Sequence, residues 1–253
     1  MPPDGLTAWI VSSLLVGLRI TPVFAFAPPF SLIPVPRLVR VLFGIGLSIC
    51  LVSAYPQATS LANTALSAVF LAATRELMLG VVFVLVFQVT FAALYLAGRT
   101  IDVQAGYGLS LIINPASQTQ SPLIGTLFVY AAGAAFFALD GHVEFLRLIA
   151  ASLDVVPLGT WLMPDSIDRI TALMSVVFLT AFGVAGGAVL CLFLTDVAIA
   201  VLSRTVPQMN VLVLGFQVKT IVLLLVLPTS FGIGGALLTR MMATMLQALP
   251  RML

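Results

Sequence analysis

Charge is what this chain has least of. Charged residues fill 8% of its 253 positions, against roughly 25% in an ordinary soluble domain. Hydrophobic residues fill 61%, more than a water-soluble fold of this length hides in its interior. The composition specifies an integral membrane protein, or a subunit buried in a hydrophobic assembly. The net charge of +2 is spread along the chain without a basic run, so no nucleic acid is expected as a partner. The two cysteines, Cys50 and Cys191, stand far apart in apolar stretches, which fits small buried hydrophobes better than a disulfide or redox pair. The single histidine, His142, has only Asp140 and Glu144 nearby in sequence, and Asp140-Gly141 reads better as a turn than as part of a metal site. Zinc-protease helices, phosphate-binding glycine loops and nucleophile elbows are all missing. Neither an enzyme nor a bound cofactor is expected. Asp4, with no Arg or Lys before Arg19, makes a poor signal-peptide start.

The few charges punctuate the apolar runs. A helix is expected from about Thr7, followed by an irregular connection, because Ile20 to Pro36 contains Pro22, Pro28, Pro29, Pro34 and Pro36. Val41 to Ala54 and Ala58 to Thr74 follow, at 14 and 17 residues, both short for a hydrocarbon core of roughly 30 Å. Leu77 to Gly98 is the cleanest span, 22 residues without a charge between Glu76 and Arg99. Leu123 to Leu139 gives a fifth segment. Val143 to Leu153 keeps helical spacing of apolar residues inside a polar connection, as an interfacial amphipathic helix does. Ile170 to Thr195 runs 26 residues without a charge and carries Gly183-x-x-x-Gly187, a spacing that lets helix backbones approach closely in lipid. Ile221 to Thr239 is the last long span, interrupted by Pro228 and by Gly232, Gly234 and Gly235. The expectation is all-α: one membrane-embedded domain over residues 1–253, with about six apolar, partly broken helices. Arginines and Lys219 are scattered over nearly every connection, so topology stays open.

Between the two central spans lies a polar, proline-bounded segment: Asn114, Pro115, Ala116, Ser117, Gln118, Thr119, Gln120, Ser121 and Pro122. Its backbone cannot face lipid, where each unpaired N–H or C=O would cost several kcal/mol. It lies outside the bilayer, is buried in protein, or lines a watery path. Gly106 and Gly108 before it permit bending. Arg75 and Glu76, at the start of the clean span, either mark the membrane interface or are paired in the interior. Gln88 suits a helix–helix hydrogen bond. Asp196 and Arg204, two turns apart, suit helix-end anchoring or a polar subunit contact. Lys219 could snorkel to an interface. Pro207-Gln208-Met209-Asn210 reads as a hairpin tip or a break between helices.

Taken in order, several of these islands resemble the FliR family of flagellar export proteins, whose injectisome counterparts are the T components of type III secretion. The matching stretches are Arg19-x-x-Pro22-Val23-Phe24, Arg75-Glu76-Leu77-Met78-Leu79-Gly80 and Gln104-Ala105-Gly106-Tyr107-Gly108-Leu109-Ser110. Asn114-Pro115-Ala116-Ser117, Ser121-Pro122-Leu123, Leu139-Asp140-Gly141-His142 and Pro207-Gln208-Met209-Asn210-Val211 continue the series, with Gly215 and Lys219 after them. The chain departs from the family's usual pattern at Asn114, where Asp is common, and near Gln217, where Pro is common.

The resemblance implies an R-type subunit of an export gate, built into a helical ring with P-type and Q-type subunits in the bacterial inner membrane, at the flagellar basal body. Unfolded export substrates would pass through that ring. It also implies that the loop from about Leu111 to Ser121 plugs the pore, with Asn114 to Pro122 as the plug and Gly106 and Gly108 as its hinge. Contacts to neighbouring subunits, or to the switch-like B-type partner, would fall to Arg75, Glu76, Pro207, Gln208, Asn210 and Lys219, and membrane lipid would cover part of the rest. The alternative from the residues alone is a small-solute secondary transporter with Glu76, Gln88 and Asp196 as ligands, although no inverted repeat is visible. A membrane scaffold without a path of its own is a third reading.

Overall fold

A computed structural model describes residues 3–56, 65–107, 122–160, 167–206 and 210–251. Among the described residues every regular element is helical. They are α1 (Pro3–Phe26), a short 3-10 turn (Phe30–Leu32), α2 (Arg37–Ala54), α3 (Leu66–Ala105), α4 (Leu123–Ala138), α5 (Gly141–Val155), α6 (Ile167–Thr205) and α7 (Val211–Arg251). Four of these helices contain stretches long and apolar enough to cross a membrane: Gly5–Phe26, Arg37–Ala54, Leu66–Ala105 and Thr171–Thr205. A fifth span results if α4 and α5 form one broken crossing. These spans, counted among the described residues, belong to the expected all-α membrane architecture of apolar, partly broken helices. Residues 66–74 and the Leu77 to Gly98 span belong to one 40-residue helix.

The expected boundaries fail where charges or prolines were read as stops. α1 runs through Pro22 and ends at Phe26. Pro22 has no N–H to offer the Leu18 carbonyl one turn earlier. The gap is covered from outside: Gly80 of α3 comes so close that a Cβ on it would lie 2.7 Å from the Leu18 oxygen and 2.8 Å from that of Arg19. Only glycine allows such an approach, which brings Cα–H groups up to the carbonyls. α3 in turn absorbs Arg75, Glu76, Arg99 and Asp102, and α6 absorbs Asp196 and Arg204. α5 matches the amphipathic helix expected over Val143 to Leu153. It buries Phe145, Ile149, Ser152 and Leu153 and leaves Glu144, Arg147 and Asp154 exposed.

The chain divides into two compact units. The first holds residues 1–89, 136–174 and 243–253. Its core is aromatic: Phe24, Phe30, Phe87, Phe136 and Phe145 pack edge-on or tilted, with ring centroids from 4.6 Å for Phe24–Phe30 to 6.2 Å for Phe30–Phe87. Such pairs add about 0.5–1.5 kcal/mol each beyond the area they bury. That matters between helices whose alternative contact is lipid rather than water. The second unit holds residues 90–135 and 175–242. There α3 and α4 touch backbone to backbone, since a Cβ on Gly98 would lie 2.5 Å from the Gly125 Cα.

Candidate functional site

Arg19 is the first basic residue of the chain, and in α1 it sits fully buried, as do Glu76 and Ser152. Arg19 Nε donates to Glu76 Oε2 at 2.6 Å and Nη2 donates to Oε1 at 3.0 Å, a two-pronged pair. Two further donors reach Ser152 Oγ at 3.0 Å, through Nη1, and the Val156 carbonyl at 3.1 Å, through Nη2. Glu76 Oε1 also accepts the Gly159 N–H at 2.8 Å, and Arg75 Nη1 donates to the Gly159 carbonyl at 2.7 Å. Adjacent residues of α3 thus grip both polar groups of one peptide turn. Gly159 has φ +74°, and a Cβ there would come within 2.7 Å of the Ala72 Cβ, so the turn needs glycine. Of the two readings of Arg75-Glu76, interior pairing is the one realised. Glu76 faces Arg19 with no exposed surface.

The second unit carries a polar network around the end of α3. Asp102 is buried, and its carboxylate accepts the N–H groups of Ile124 (3.0 and 3.1 Å) and Gly125 (3.2 Å). These are first-turn donors of α4, which have no partner inside their own helix. Asp102 acts as an N-cap supplied from another helix, with favourable charge at the positive end of the dipole. Two turns of chain then end α3. Gly106 sits at φ +88° with its N–H on the Val103 carbonyl, and the Tyr107 N–H reaches back to Asp102 O. That is a Schellman stop, which places glycine at the left-handed position. Nearby, Lys219 Nζ meets Asp196 Oδ1 at 2.6 Å and donates to the Gln104 carbonyl at 3.0 Å. Gln104 Nε2 donates to Asp196 Oδ2 at 2.9 Å. α3, α6 and α7 are tied by this triad, and Tyr107 stacks edge-on against Phe216.

Of the residues expected to matter, Gly106, Pro122, Arg75, Glu76, Asn210 and Lys219 are described. Gly108, Asn114, Pro115, Ala116, Ser117, Gln118, Thr119, Gln120, Ser121, Pro207 and Gln208 lie outside the described residues. Asn210 starts α7: its side-chain oxygen accepts the Val213 N–H at 3.4 Å and its carbonyl the Leu214 N–H. Gln88 donates to the Phe26 carbonyl at 2.9 Å, the helix–helix bond expected of it. Lys219 pairs with Asp196 instead of snorkelling alone. Sequence reasoning passed over Asp102 and Ser152, and did not connect Arg19 with Glu76. The one available signal was that each of these charges interrupts an otherwise apolar helix, where an ionisable group needs a partner. No group of three or more His, Cys, Asp or Glu side chains able to hold a metal occurs among the described residues.

The arrangement holds apolar helices in register by polar clamps. Comparison with known proteins supplies the rest. Flagellar biosynthetic protein FliR of Bacillus subtilis is 31% identical over 212 residues, covering 81% of this chain and 80% of that protein. FliR of Escherichia coli is 24% identical over 200 residues, covering 79% and 76%. The secretion system apparatus protein SsaT of Salmonella typhimurium is 28% identical over 160 residues, 62% of each chain. The family described as bacterial export proteins, family 1, matches residues 10–245. A match over nearly the full length, together with relatives of this similarity, makes the chain a member of the bacterial export proteins, family 1.

Proposed function

We propose that the chain is the R-type subunit of a flagellar-type protein export gate in the bacterial inner membrane. It works with P-type and Q-type subunits and a B-type partner to pass unfolded substrates. The observation that carries this reading, beside family membership, is the unmatched apolar length of the helices. α3 has 40 residues, about 60 Å of helix at 1.5 Å per residue, twice a hydrocarbon core of roughly 30 Å. Only 17% of the α2 span, and 33% of an 18-residue apolar stretch within Thr171–Thr205, are buried inside the chain. A bilayer alone is too thin to shield that surface, so neighbouring subunits cover part of it. Arg75, Pro207, Gln208, Asn210 and Lys219 belong with the contacts to those neighbours in this proposal. Glu76 contributes from behind, by fixing the turn beside Arg75.

In the same proposal Asn114 to Pro122 form the plug and Gly106 and Gly108 its hinge. Two features support it: Gly106, at φ +88°, turns the chain out of α3, and the Asp102 cap fixes the start of α4, so the two helix ends that flank residues 108–121 are defined. Deleting Leu111 to Thr119 is expected to leave assembly intact and make cells leak ions or small solutes. Normal assembly with unchanged permeability refutes the plug. Native mass spectrometry of the tagged chain, extracted in mild detergent, tests the gate itself. P-type and Q-type subunits are expected in one complex with it, and a monomer or homodimer without them, while other membrane assemblies survive, refutes the gate.

A further inference from the structure

Among the described residues of the second unit, Asp102 is the buried acid, with 4% of its surface exposed. The groups that hold its oxygens are backbone N–H donors of α4: Ile124 on Oδ1 at 3.0 Å and on Oδ2 at 3.1 Å, and Gly125 on Oδ2 at 3.2 Å. Glu76 in the first unit faces an arginine instead. α4 brings no charge to the contact, and its titratable side chain, Tyr130, is exposed. On α3, Tyr95 lies two turns before Asp102 and Arg99 one turn before it, exposed, while Tyr107 after the helix offers its backbone N–H to the Asp102 carbonyl. From α6 and α7, Asp196 and Lys219 are taken up by each other and by Gln104. The charge of Asp102 is thus met by amide dipoles and not by a cation.

The same amides belong to a close contact between helices. A Cβ on Gly98 would lie 2.5 Å from the Gly125 Cα, and one on Gly125 would lie 2.8 Å from the Tyr95 carbonyl oxygen. Tyr95, Gly98, Arg99 and Asp102 are spaced at i, i+3, i+4 and i+7, one face of α3. Glycine lets the backbones meet on that face, and Asp102 supplies the directed attraction. An ionised carboxylate accepts hydrogen bonds at both oxygens, whereas the protonated acid has one O–H donor and less capacity to accept. Here that O–H would stand among N–H groups that are donors too. Charge on Asp102 and closure of the contact therefore support each other, and by linkage whatever weakens one weakens the other.

We propose that Asp102 is a proton-sensitive clamp on the joint between α3 and α4. Ionised, it holds the first turn of α4 against α3. A proton from the solvent, added to one oxygen with no covalent bond broken, removes one acceptor and the charge that favours the positive end of the α4 dipole. The joint is tight while the carboxylate is charged and loosens as pH falls. The clamp is independent of the export reading.

The test is hydrogen exchange of the full chain in detergent, from about pH 8 to about pH 4.5, corrected for the intrinsic rate at each pH. Protection at Ile124 and Gly125 is compared with that at Ala132, buried further along α4. It is expected to fall about fivefold with pH at the two capped amides, the weight of one charge at a helix N-terminus, and to hold at Ala132. Asp102→Asn, which has the shape of the protonated acid, should show the lowered protection at every pH and no fall of its own. Infrared difference spectra between the two proteins should show a carboxylic-acid band that grows as the wild type loses protection. Elution as wild type on size exclusion confirms that the variant folds, and the wild-type titration stands without it. Level protection in the wild type overturns the proposal. So does an equal fall in Asp102→Asn, which assigns the loosening to another group, or a carboxylic-acid band that grows without loss of protection.

Discussion

Arg19 and Glu76 stand 57 positions apart in the chain and meet as a fully buried, doubly hydrogen-bonded ion pair at 2.6 and 3.0 Å. The pair joins α1 to α3, and through Ser152, Val156 and Gly159 it also holds α5 and the turn behind it. Four of the five guanidinium N–H groups and both carboxylate oxygens are in use, and such pairing is what lets charge be tolerated away from water.

Breaking one side of that pair leaves an uncompensated buried charge. Glu76→Ala is predicted to destabilise the chain by about 3–5 kcal/mol, read as a lower thermal midpoint in detergent and reduced recovery of assembled complex. Replacing both partners, as Arg19→Met with Glu76→Leu, should recover part of the loss, because no bare charge remains. A double variant no better than Glu76→Ala would show that the bonds to Ser152, Val156 and Gly159 outweigh the ion pair.

Asp102 serves α4 from outside. Asp102→Ala is predicted to cost about 0.5–2 kcal/mol, the usual value of an N-cap, and to speed amide hydrogen exchange at Ile124 and Gly125. Asp102→Asn keeps one acceptor oxygen and should restore much of the protection. Unchanged exchange at both amides in Asp102→Ala would remove the capping role.

Close backbone approach makes Gly98 and Gly80 intolerant of a side chain. For Gly98→Ala the new Cβ meets backbone atoms of Ile124 and Gly125 at 2.5 to 2.8 Å, so helices must separate, at about 1–3 kcal/mol. Gly46→Ala is the control, since nothing lies within 4 Å of a Cβ there. Thermal midpoints should fall for Gly98→Ala and hold or rise slightly for Gly46→Ala, since alanine is the better helix former. Equal midpoints would mean that the contact relaxes without cost.

The triad of Lys219, Asp196 and Gln104 is part-exposed, with 18% and 39% of the Lys219 and Asp196 side chains accessible. Lys219→Met is therefore predicted to cost only about 0–1 kcal/mol, and less at high salt, where ion pairing is screened. A thermal shift comparable to that of Glu76→Ala would place this triad at a structural weight its exposure does not predict.

Hydrophobicity and its interruptions were enough to establish an all-helical membrane protein, the amphipathic face of α5 and the helix–helix role of Gln88. Those properties follow from local composition and from the 3.6-residue period, which any stretch of chain carries within itself. Motif order did the same for family membership. Pairing was not legible. The sequence places Pro22, Arg75, Glu76 and Asp196 as breaks or borders of apolar runs, yet they and Asp102 all lie inside helices. Each is made tolerable by a residue far along the chain: Gly80 at the carbonyl that Pro22 leaves open, Arg19 for Glu76, Gly159 for Arg75, the first turn of α4 for Asp102, Lys219 for Asp196. A charge or a proline ends a helix only if its unmet bond stays unmet, and whether a partner arrives is settled by how the helices pack.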